Sequence, residues 1–297
     1  MSSESDSVVR TVMSIVLNIR LPRTFAAIVI GGSLAVAGLT YQCVFRNILV
    51  SQDVLGVSTG ACTGAAVAIV LNLSSAWIQG LSFVTGVLTV VTVFLLSRAI
   101  RADRTLSLIL SGILVSGLMG SVLGYIKYMA DPQTHLQSIV FWTMGDLSSI
   151  GMEQIGQASF PMVVCILIVY LGRWKLNFFC YSDGEATSLG FDIRLHRAIF
   201  LAAATLLVSM AVSISGSIGW IGLVVPQLVR RVVGTDNTDT VGSSFLAGAI
   251  FLLLMDVVNR LVSAAELPIS ILTGLVGTPI FVACLLLKQR EDVERHD

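Results

Sequence analysis

Long runs without a charged residue constrain this chain more than any other feature. Seven of them contain at least 16 residues: 24–45, 54–97, 105–126, 154–172, 198–229, 240–255 and 267–287. A helix needs about 20 mostly apolar residues to cross the roughly 30 Å hydrocarbon core of a bilayer. Charged residues make up 12% of the chain, against about 25% in soluble domains. The sequence therefore predicts an all-α polytopic membrane protein.

Two of these runs are too long for one spanning helix. The run 54–97 contains the polar stretch "NLSSAW" at 72–77, and the run 198–229 contains "SISGSIG" at 213–219, where Ser and Gly cluster. Dividing the runs at these points gives nine predicted spans: 24–45, 54–71, 78–97, 105–126, 154–172, 198–213, 217–232, 240–257 and 267–287.

The basic residues orient the bundle. Placing the C-terminus in the cytoplasm puts 13 of the 18 Lys and Arg residues on the inner side, as the positive-inside rule requires. We therefore expect one transmembrane domain, 1–297, with an external segment 1–23, a cytoplasmic loop 174–197 and a cytoplasmic tail 288–297. The loop contains the polar stretch "YSDGEATSLGFDIRLHR" at 181–197.

Several function classes are disfavoured. The formal net charge is zero, which gives no indication of a nucleic-acid partner. No charge lies in the middle of a predicted span, which argues against an ion-coupled carrier. No GxxxxGK[ST] or HExxH motif occurs, and the five cysteines form no CxxC pair. We expect no enzymatic activity, no metal site and no cofactor, so energy for any transport must come from another protein.

Five blocks of sequence carry a resemblance to a known family. They are 19–61 ("IRLPRTFAAIVIGG…"), 141–155 ("FWTMGDLSSIGMEQI"), 185–197 ("EATSLGFDIRLHR"), 216–237 ("GSIGWIGLVVPQLVRRVVGTDN") and 265–288 ("AELPISILTGLVGTPIFVACLLLK"). In this order they resemble the FecCD/BtuC-type permeases of ATP-binding-cassette importers, which carry iron–siderophores, haem, cobalamin and related metal chelates.

The resemblance implies the ten-helix type II importer fold, here expected without the family's usual first helix. It also implies a homodimer in a prokaryotic plasma (inner) membrane, two separate ATPase subunits and an external substrate-binding protein. An iron–siderophore or haem is the first expected cargo, and cobalamin or molybdate/tungstate is the alternative. An ion-coupled secondary transporter is a more distant alternative.

The resemblance identifies the polar loop as the element that couples the permease to its ATPase. In the family, this loop forms two short helices that dock on the ATPase subunit. The corresponding residues here are Gly184, Glu185, Ala186, Leu189 and Gly190, and Gly190 is expected to end the first short helix. The alternative is an ordinary solvated loop.

Three arginines are the expected docking residues for the external binding protein. By resemblance, Arg20, Arg23 and Arg260 receive glutamates of that protein. The planar guanidinium suits this task because it pairs with a carboxylate through two hydrogen bonds. The alternative is that these arginines extend from helix ends towards the membrane interface.

The family's cytoplasmic gate and pore map to two further segments. Asn47 and Leu49 correspond to the gate, although Ile48 stands where family members often have Pro. The pore-lining helix corresponds to 105–126, in which Ser111, Gly112 and Ser116 either line a water-filled path or serve helix packing. Gln227 stands where the family commonly has His. Because Gln cannot titrate, we interpret the position as structural or as a difference in this branch of the family.

Overall fold

A computed structural model describes residues 12–100, 104–262 and 267–294, and within these ranges the ordered elements are helices. The α-helices are α1 (Val12–Val44), α2 (Val57–Val70), α3 (Ser75–Ala99), α4 (Arg104–Met129), α5 (His135–Thr143), α6 (Met152–Leu171), α7 (Asp183–Ser188), α8 (Ile193–Ser215), α9 (Ile221–Val233), α10 (Asn237–Val262) and α11 (Ile269–Glu294). A 3₁₀ segment, Arg173–Cys180, precedes α7.

Helix α1 forms the centre of the bundle. It packs against α10, α8 and α9, and its side chains are buried over most of the stretch from Pro22 to Val44. Glycines allow these helices to approach closely. A methyl group added at Gly38 of α1 would overlap the backbone of Gly222 in α9. Such contacts between small residues replace the hydrophobic driving force, which is weak between helices surrounded by lipid.

Helices α2 and α3 form the second tightly packed pair. Gly60 and Gly64 of α2 lie directly against Thr89 and Thr85 of α3. Both threonine hydroxyls donate to carbonyls of their own helix, four residues earlier. These polar side chains therefore lie at the helix contact without leaving a hydroxyl proton unbonded.

Seven helices in the described ranges are long and apolar enough to cross a membrane. They are α1, α3, α4, α6, α8, α10 and, over Ile269–Leu287, α11. The polytopic helical architecture is confirmed, but the count of nine spans is not. The predicted spans 54–71 and 217–232 correspond to α2, with 14 residues, and α9, with 13 residues. At 1.5 Å per residue each is only about 20 Å long.

Both predicted helix breaks are present. Asn72 adopts a positive φ of 53° between α2 and α3. The break after α8 begins at Gly216, which has φ +68°, and a methyl group there would overlap the carbonyl oxygen of Trp142. Helix α5, by contrast, was not predicted, because it has nine residues and lies outside the long apolar runs.

The first long helix begins before residue 23, within the segment predicted to lie outside the membrane. Residues 12–23 belong to α1, and the side chains of residues 12–19 are exposed. The helix accommodates Pro22, which has no N–H, by a π-helical turn over Val16–Arg20. The Leu21 N–H donates to the Val16 carbonyl oxygen within this turn. Pro22 lies in the first turn of the α-helical part that follows, where a missing N–H is tolerated, so it does not end the helix.

Candidate functional site

Helix α7 lies in the polar loop and is capped at its start. The Ser182 hydroxyl accepts a hydrogen bond from the Glu185 N–H at 3.2 Å, and the Glu185 carboxylate accepts one from the Ser182 N–H at 2.8 Å. This reciprocal capping box satisfies two N–H groups that a helix start leaves without intrahelical partners. The sequence "SDGE" thus gives a six-residue helix a defined first turn.

Gly190 ends α7, as predicted. It adopts φ +79°, and its N–H donates to the Thr187 carbonyl oxygen at 2.9 Å. The Phe191 N–H donates to the Ala186 carbonyl oxygen at 3.0 Å. These two bonds form a Schellman motif, in which glycine supplies the left-handed residue. The loop therefore presents a short helix with both ends fixed.

Four of the five predicted coupling residues are accessible. Gly184, Glu185, Leu189 and Gly190 are exposed, and Leu189 is 63% exposed despite its apolar side chain. Ala186 is fully buried, so it supports the helix from beneath. Beside α7 lies a cavity of about 650 Å³, lined by Asp183, Gly184, Thr187, Gly190, Phe191, Asp192, Ile193 and Arg194.

Asp183 anchors α7 to the rest of the protein. Arg197 of α8 donates to its two carboxylate oxygens at 3.0 and 3.2 Å, and Arg46 donates to it at 2.8 Å. Arg46 Nε also donates to the Phe179 carbonyl oxygen at 2.5 Å. One carboxylate thus joins the turn after α1, helix α7 and the start of α8.

The charges around this loop favour ionised carboxylates. Partial burial raises the pKa of Asp183, but the hydrogen bonds and charges of Arg197 and Arg46 outweigh this effect and lower it. The Ser182 hydrogen bonds lower the pKa of Glu185. Hydrogen bonds from Thr238 and Asn177 lower the pKa of Asp236, in the loop before α10, to about 2. These three groups remain ionised at neutral pH.

The second helix of the loop, α8, is also capped and is supported by aromatic rings. The Asp192 carboxylate accepts from the N–H groups of Arg194 and Leu195, both at 3.1 Å. Phe191 stacks on the His196 ring at a centroid distance of 4.4 Å and on Phe178 of the 3₁₀ segment at 4.5 Å. The loop is therefore held rigidly against the bundle.

The candidate gate residues lie in an exposed turn after α1. The Asn47 side-chain oxygen accepts from the Leu49 N–H at 2.9 Å, a local bond typical of Asn in turns. Leu49 is exposed. Gln227 donates to the Ile48 carbonyl oxygen at 3.2 Å. The turn is thus fixed although it lacks the family's proline.

A buried glutamine, Gln42, connects this turn to α9. Its side-chain oxygen accepts from Gln227 at 2.9 Å and from Arg230 at 2.6 Å. Its amide donates to the Gly222 carbonyl oxygen at 3.2 Å. That carbonyl has no i+4 N–H partner, because residue 226 is proline. These contacts agree with the interpretation of Gln227 as structural.

The three candidate docking arginines differ in accessibility. Arg23 is 3% exposed, and its Nε lies 2.5 Å from Asp256, which is fully buried. Arg260 is partly exposed and lies 2.9 Å from the other oxygen of Asp256. Arg20 is exposed. An external carboxylate can reach Arg260 directly, whereas it would have to displace Asp256 to reach Arg23.

The candidate pore residues of α4 face the protein interior. Ser111 and Gly112 are buried, and Gly112 lies against the Val54 carbonyl oxygen. Ser116 lies against Gly56. The packing alternative therefore describes their contacts within one chain. The exposed face of α4 is apolar, with Ile113, Leu114 and Leu118. Pore lining by the three residues remains a prediction.

Sequence reasoning missed the polar residues that hold these sites together. Four such residues were not selected as site residues, although each contacts a residue more than 130 positions away in the sequence: Arg46, Gln42, Asp183 and Asp256. One local signal was present, because Asp256 and Arg260 lie four residues apart on one helix face. Among the described residues, no group of three His, Cys, Asp or Glu side chains is placed to hold a metal ion.

Comparisons with known proteins place the chain in one group. The sequence pattern of the FecCD transport family matches residues 2–288. The molybdate import system permease protein MolB of Haemophilus influenzae is 36% identical over 267 residues, covering 90% of this chain and 79% of that protein. The hemin transport system permease protein HmuU of Yersinia pestis is 36% identical over 282 residues, covering 93% and 84%.

A solved structure agrees with these relatives. It is described as a metal-chelate type ABC transporter in an inward-facing conformation and superimposes with a TM-score of 0.88 at 34% identity. The match covers 92% of this chain and 88% of that one. Sequence pattern, relatives and fold agree over nearly the whole length, and this chain belongs to the FecCD transport family of multi-pass membrane permeases.

Proposed function

We propose that this chain is the non-catalytic, pore-forming subunit of an ATP-driven importer in a prokaryotic plasma membrane. Two copies form the translocation pore between them, two separate ATPase subunits bind the cytoplasmic loops, and an external binding protein delivers the cargo. The observation that carries the proposal is the capped, water-exposed helix α7. It presents Leu189 outside the apolar bundle, where contact with a protein partner would remove its apolar surface from water.

The ATPase contact comprises the four accessible residues Gly184, Glu185, Leu189 and Gly190. The absence of a side chain at the two glycines lets a partner surface approach the helix closely. Leu189 supplies apolar contact, and Glu185 supplies charge at the rim. Ala186 supports this surface from inside and does not touch the partner.

The external binding protein docks through carboxylates that reach Arg260 and Arg20. Arg23 does not contact the binding protein directly. Its ion pair with Asp256 fixes the carboxylate that also positions Arg260. Exposed arginine–carboxylate pairs contribute about 0.2–1 kcal/mol each. Across two copies of the chain they set register and orientation rather than most of the affinity.

The cytoplasmic gate consists of Asn47 and Leu49 from each copy. Leu49 projects from a hydrogen-bonded turn, and its partner across the dimer axis would close the path for a hydrated cargo. In this arrangement the pore path is bordered by the exposed face of α4.

The first proposed cargo is an iron–siderophore or haem, in keeping with the relative named for hemin transport. Molybdate or tungstate is the second candidate, favoured by the relative named for molybdate import. Cobalamin is a further alternative. Uptake by cells that express the complete importer, compared among radiolabelled ferric siderophore, haemin, cobalamin and molybdate, distinguishes these cargoes.

Co-purification with the ATPase tests the coupling surface. We expect Leu189→Asp to lose most of the bound ATPase, because a carboxylate replaces the exposed apolar contact. Val232→Asp is the matched control, since Val232 at the end of α9 is even more exposed, at 86%, but lies outside the loop. Full ATPase retention by Leu189→Asp, or equal loss in both variants, would count against this assignment.

A further inference from the structure

The turn that holds the candidate gate has a strained backbone at one position. Arg46 adopts φ +50°, in the left-handed region that residues other than glycine occupy at a cost. The Arg46 N–H donates to the Cys43 carbonyl oxygen at 3.1 Å, and the Asn47 N–H donates to the Gln42 carbonyl oxygen at 3.1 Å. A strained conformation persists only where surrounding contacts fix it.

Those contacts come from the cytoplasmic loop 174–197, which we call the coupling loop. The Arg46 guanidinium donates from Nε to Phe179 in the 3₁₀ segment and from Nη2 to Asp183 in α7. Asp183 is separated from Arg46 by 137 residues in the sequence. A guanidinium is planar and its donors are fixed relative to each other. Two bonds from one fork therefore restrict both the distance and the orientation of α7 relative to the turn.

The opposite side of Asp183 is fixed as well. Arg197 at the start of α8 pairs with both carboxylate oxygens of Asp183 and is almost fully buried. Helix α7 also packs on α8 and on the 3₁₀ segment. The coupling loop thus forms one unit, and Arg46 extends this unit to the turn that contains Asn47 and Leu49.

We propose that Arg46 and Asp183 form the link through which displacement of α7 moves the gate turn. Arg46 is a positioning residue in this scheme: it touches neither cargo nor nucleotide, but makes the turn 45–50 follow the coupling helix. The inference rests on the proposed function, since it requires an ATPase that displaces α7. It adds a specific pair of side chains to that function.

The test measures cargo moved per ATP hydrolysed, in proteoliposomes that contain the complete importer and its binding protein. We expect Arg46→Gln to lower this ratio at least about fivefold, within the usual range of coupling between sites. The rate of ATP hydrolysis and the melting temperature of the complex should remain close to those of the wild type. Arg98→Gln, at the cytoplasmic end of α3, is the matched control and should leave the ratio unchanged.

A double-mutant cycle separates the link from independent effects. In an Asp183→Asn background, Arg46→Gln should cause almost no further loss, because the partner of Arg46 is already altered. Equal losses from Arg46→Gln in both backgrounds would overturn the proposal, as would an unchanged ratio in the single variant.

A second variant keeps the test decisive if Arg46→Gln does not assemble. Arg46→Lys retains the charge but lacks the guanidinium whose two donors bind Phe179 and Asp183 together. The amount of cargo moved per ATP hydrolysed should therefore also fall. A wild-type ratio in Arg46→Lys would contradict the proposal. Wild-type complexes that transport without ATP would overturn the proposed function itself, whereas ATP-driven transport with unaffected Arg46 variants would overturn only the link.

Discussion

At the residue scale, Asp256 of α10 pairs with Arg23 of α1 and with Arg260 of α10, at the end of the bundle that we assign to the outer face. It is fully buried and lies within hydrogen-bonding distance of both Arg23 and Arg260. Buried charges are stable only when they are paired, and removing one partner leaves the other uncompensated. This carboxylate therefore supports the outer end of the bundle as well as the proposed docking arginines.

We expect Asp256→Asn to destabilise the purified protein by about 3–5 kcal/mol, the usual cost of breaking a buried pair. Asp239→Asn is the matched control, because Asp239 is an exposed acid in the first turn of the same helix. Removing the Asp239 charge should lower the free energy of unfolding by about 1 kcal/mol or less. Thermal unfolding in detergent measures both, and equal shifts in the two variants would contradict the pairing.

The stabilising effect of Asp183 should depend on pH. Because its folded-state pKa is lowered, the contribution is fully present above the unfolded-state value of about 4 and is lost as the pH falls through the folded value. Asp183→Asn should thus be less stable than the wild type near neutral pH, by about 1 kcal/mol for such a partly exposed cluster.

Melting temperatures of the two proteins measured from pH 7 downwards check this expectation. The difference between wild type and Asp183→Asn should shrink once the pH falls below about 4. A difference that is constant over the whole pH range would show that the carboxylate charge is not the cause.

Sequence reasoning at this scale succeeded where the determinants are local. Gly190 was recognised as a helix end because its role depends on its immediate neighbours. Arg46 and Asp183 were not, since their pairing depends on how α1 and the loop meet in three dimensions. Arg23 was selected by resemblance as a docking residue, and its burial against Asp256 depends on the contact of α1 with α10.

At the element scale, the glycine inside α7 and the glycine that follows its end have opposite roles. Gly190 adopts a left-handed conformation at the end of α7, whereas Gly184 lies within the helix, and a methyl group there would meet no atom within 4 Å. Gly190→Ala should destabilise α7 by about 1–2 kcal/mol. Gly184→Ala should stabilise it by about 0.5–1 kcal/mol, because alanine loses less backbone freedom in a helix.

Amide hydrogen exchange of residues 185–190, followed by mass spectrometry, measures both effects. We expect faster exchange in Gly190→Ala and slower exchange in Gly184→Ala. The same direction of change in both variants would exclude the assigned cap geometry.

Helix prediction was accurate for long apolar segments and weaker for short ones. Helices α3, α4 and α6 coincide closely with predicted spans, because lipid imposes their length and composition. Helices α2 and α9 are shorter than a span, since their ends are set by packing and by Gly56 and Trp220, both with φ +72°. Helix α5 was missed because it has nine residues and lies outside the long apolar runs.

At the scale of the whole molecule, the described chain combines a lipid-compatible bundle with one polar, rigid projection. Many of the exposed large hydrophobic residues lie on α3, α4, α6 and α10, where they can face lipid or a second copy. The long apolar runs alone predicted this helical membrane architecture. Sequence resemblance supplied the family, whereas the dimer axis, the cargo and the ATPase contact depend on partners.

The most direct measurement of the central claim is cargo uptake into proteoliposomes that contain this chain, its ATPase subunit and its binding protein. The account predicts uptake that requires ATP, is blocked by vanadate, persists when ionophores collapse all ion gradients, and is absent when the ATPase subunit is omitted. Uptake by this chain alone, driven by an ion gradient without ATP, would contradict it.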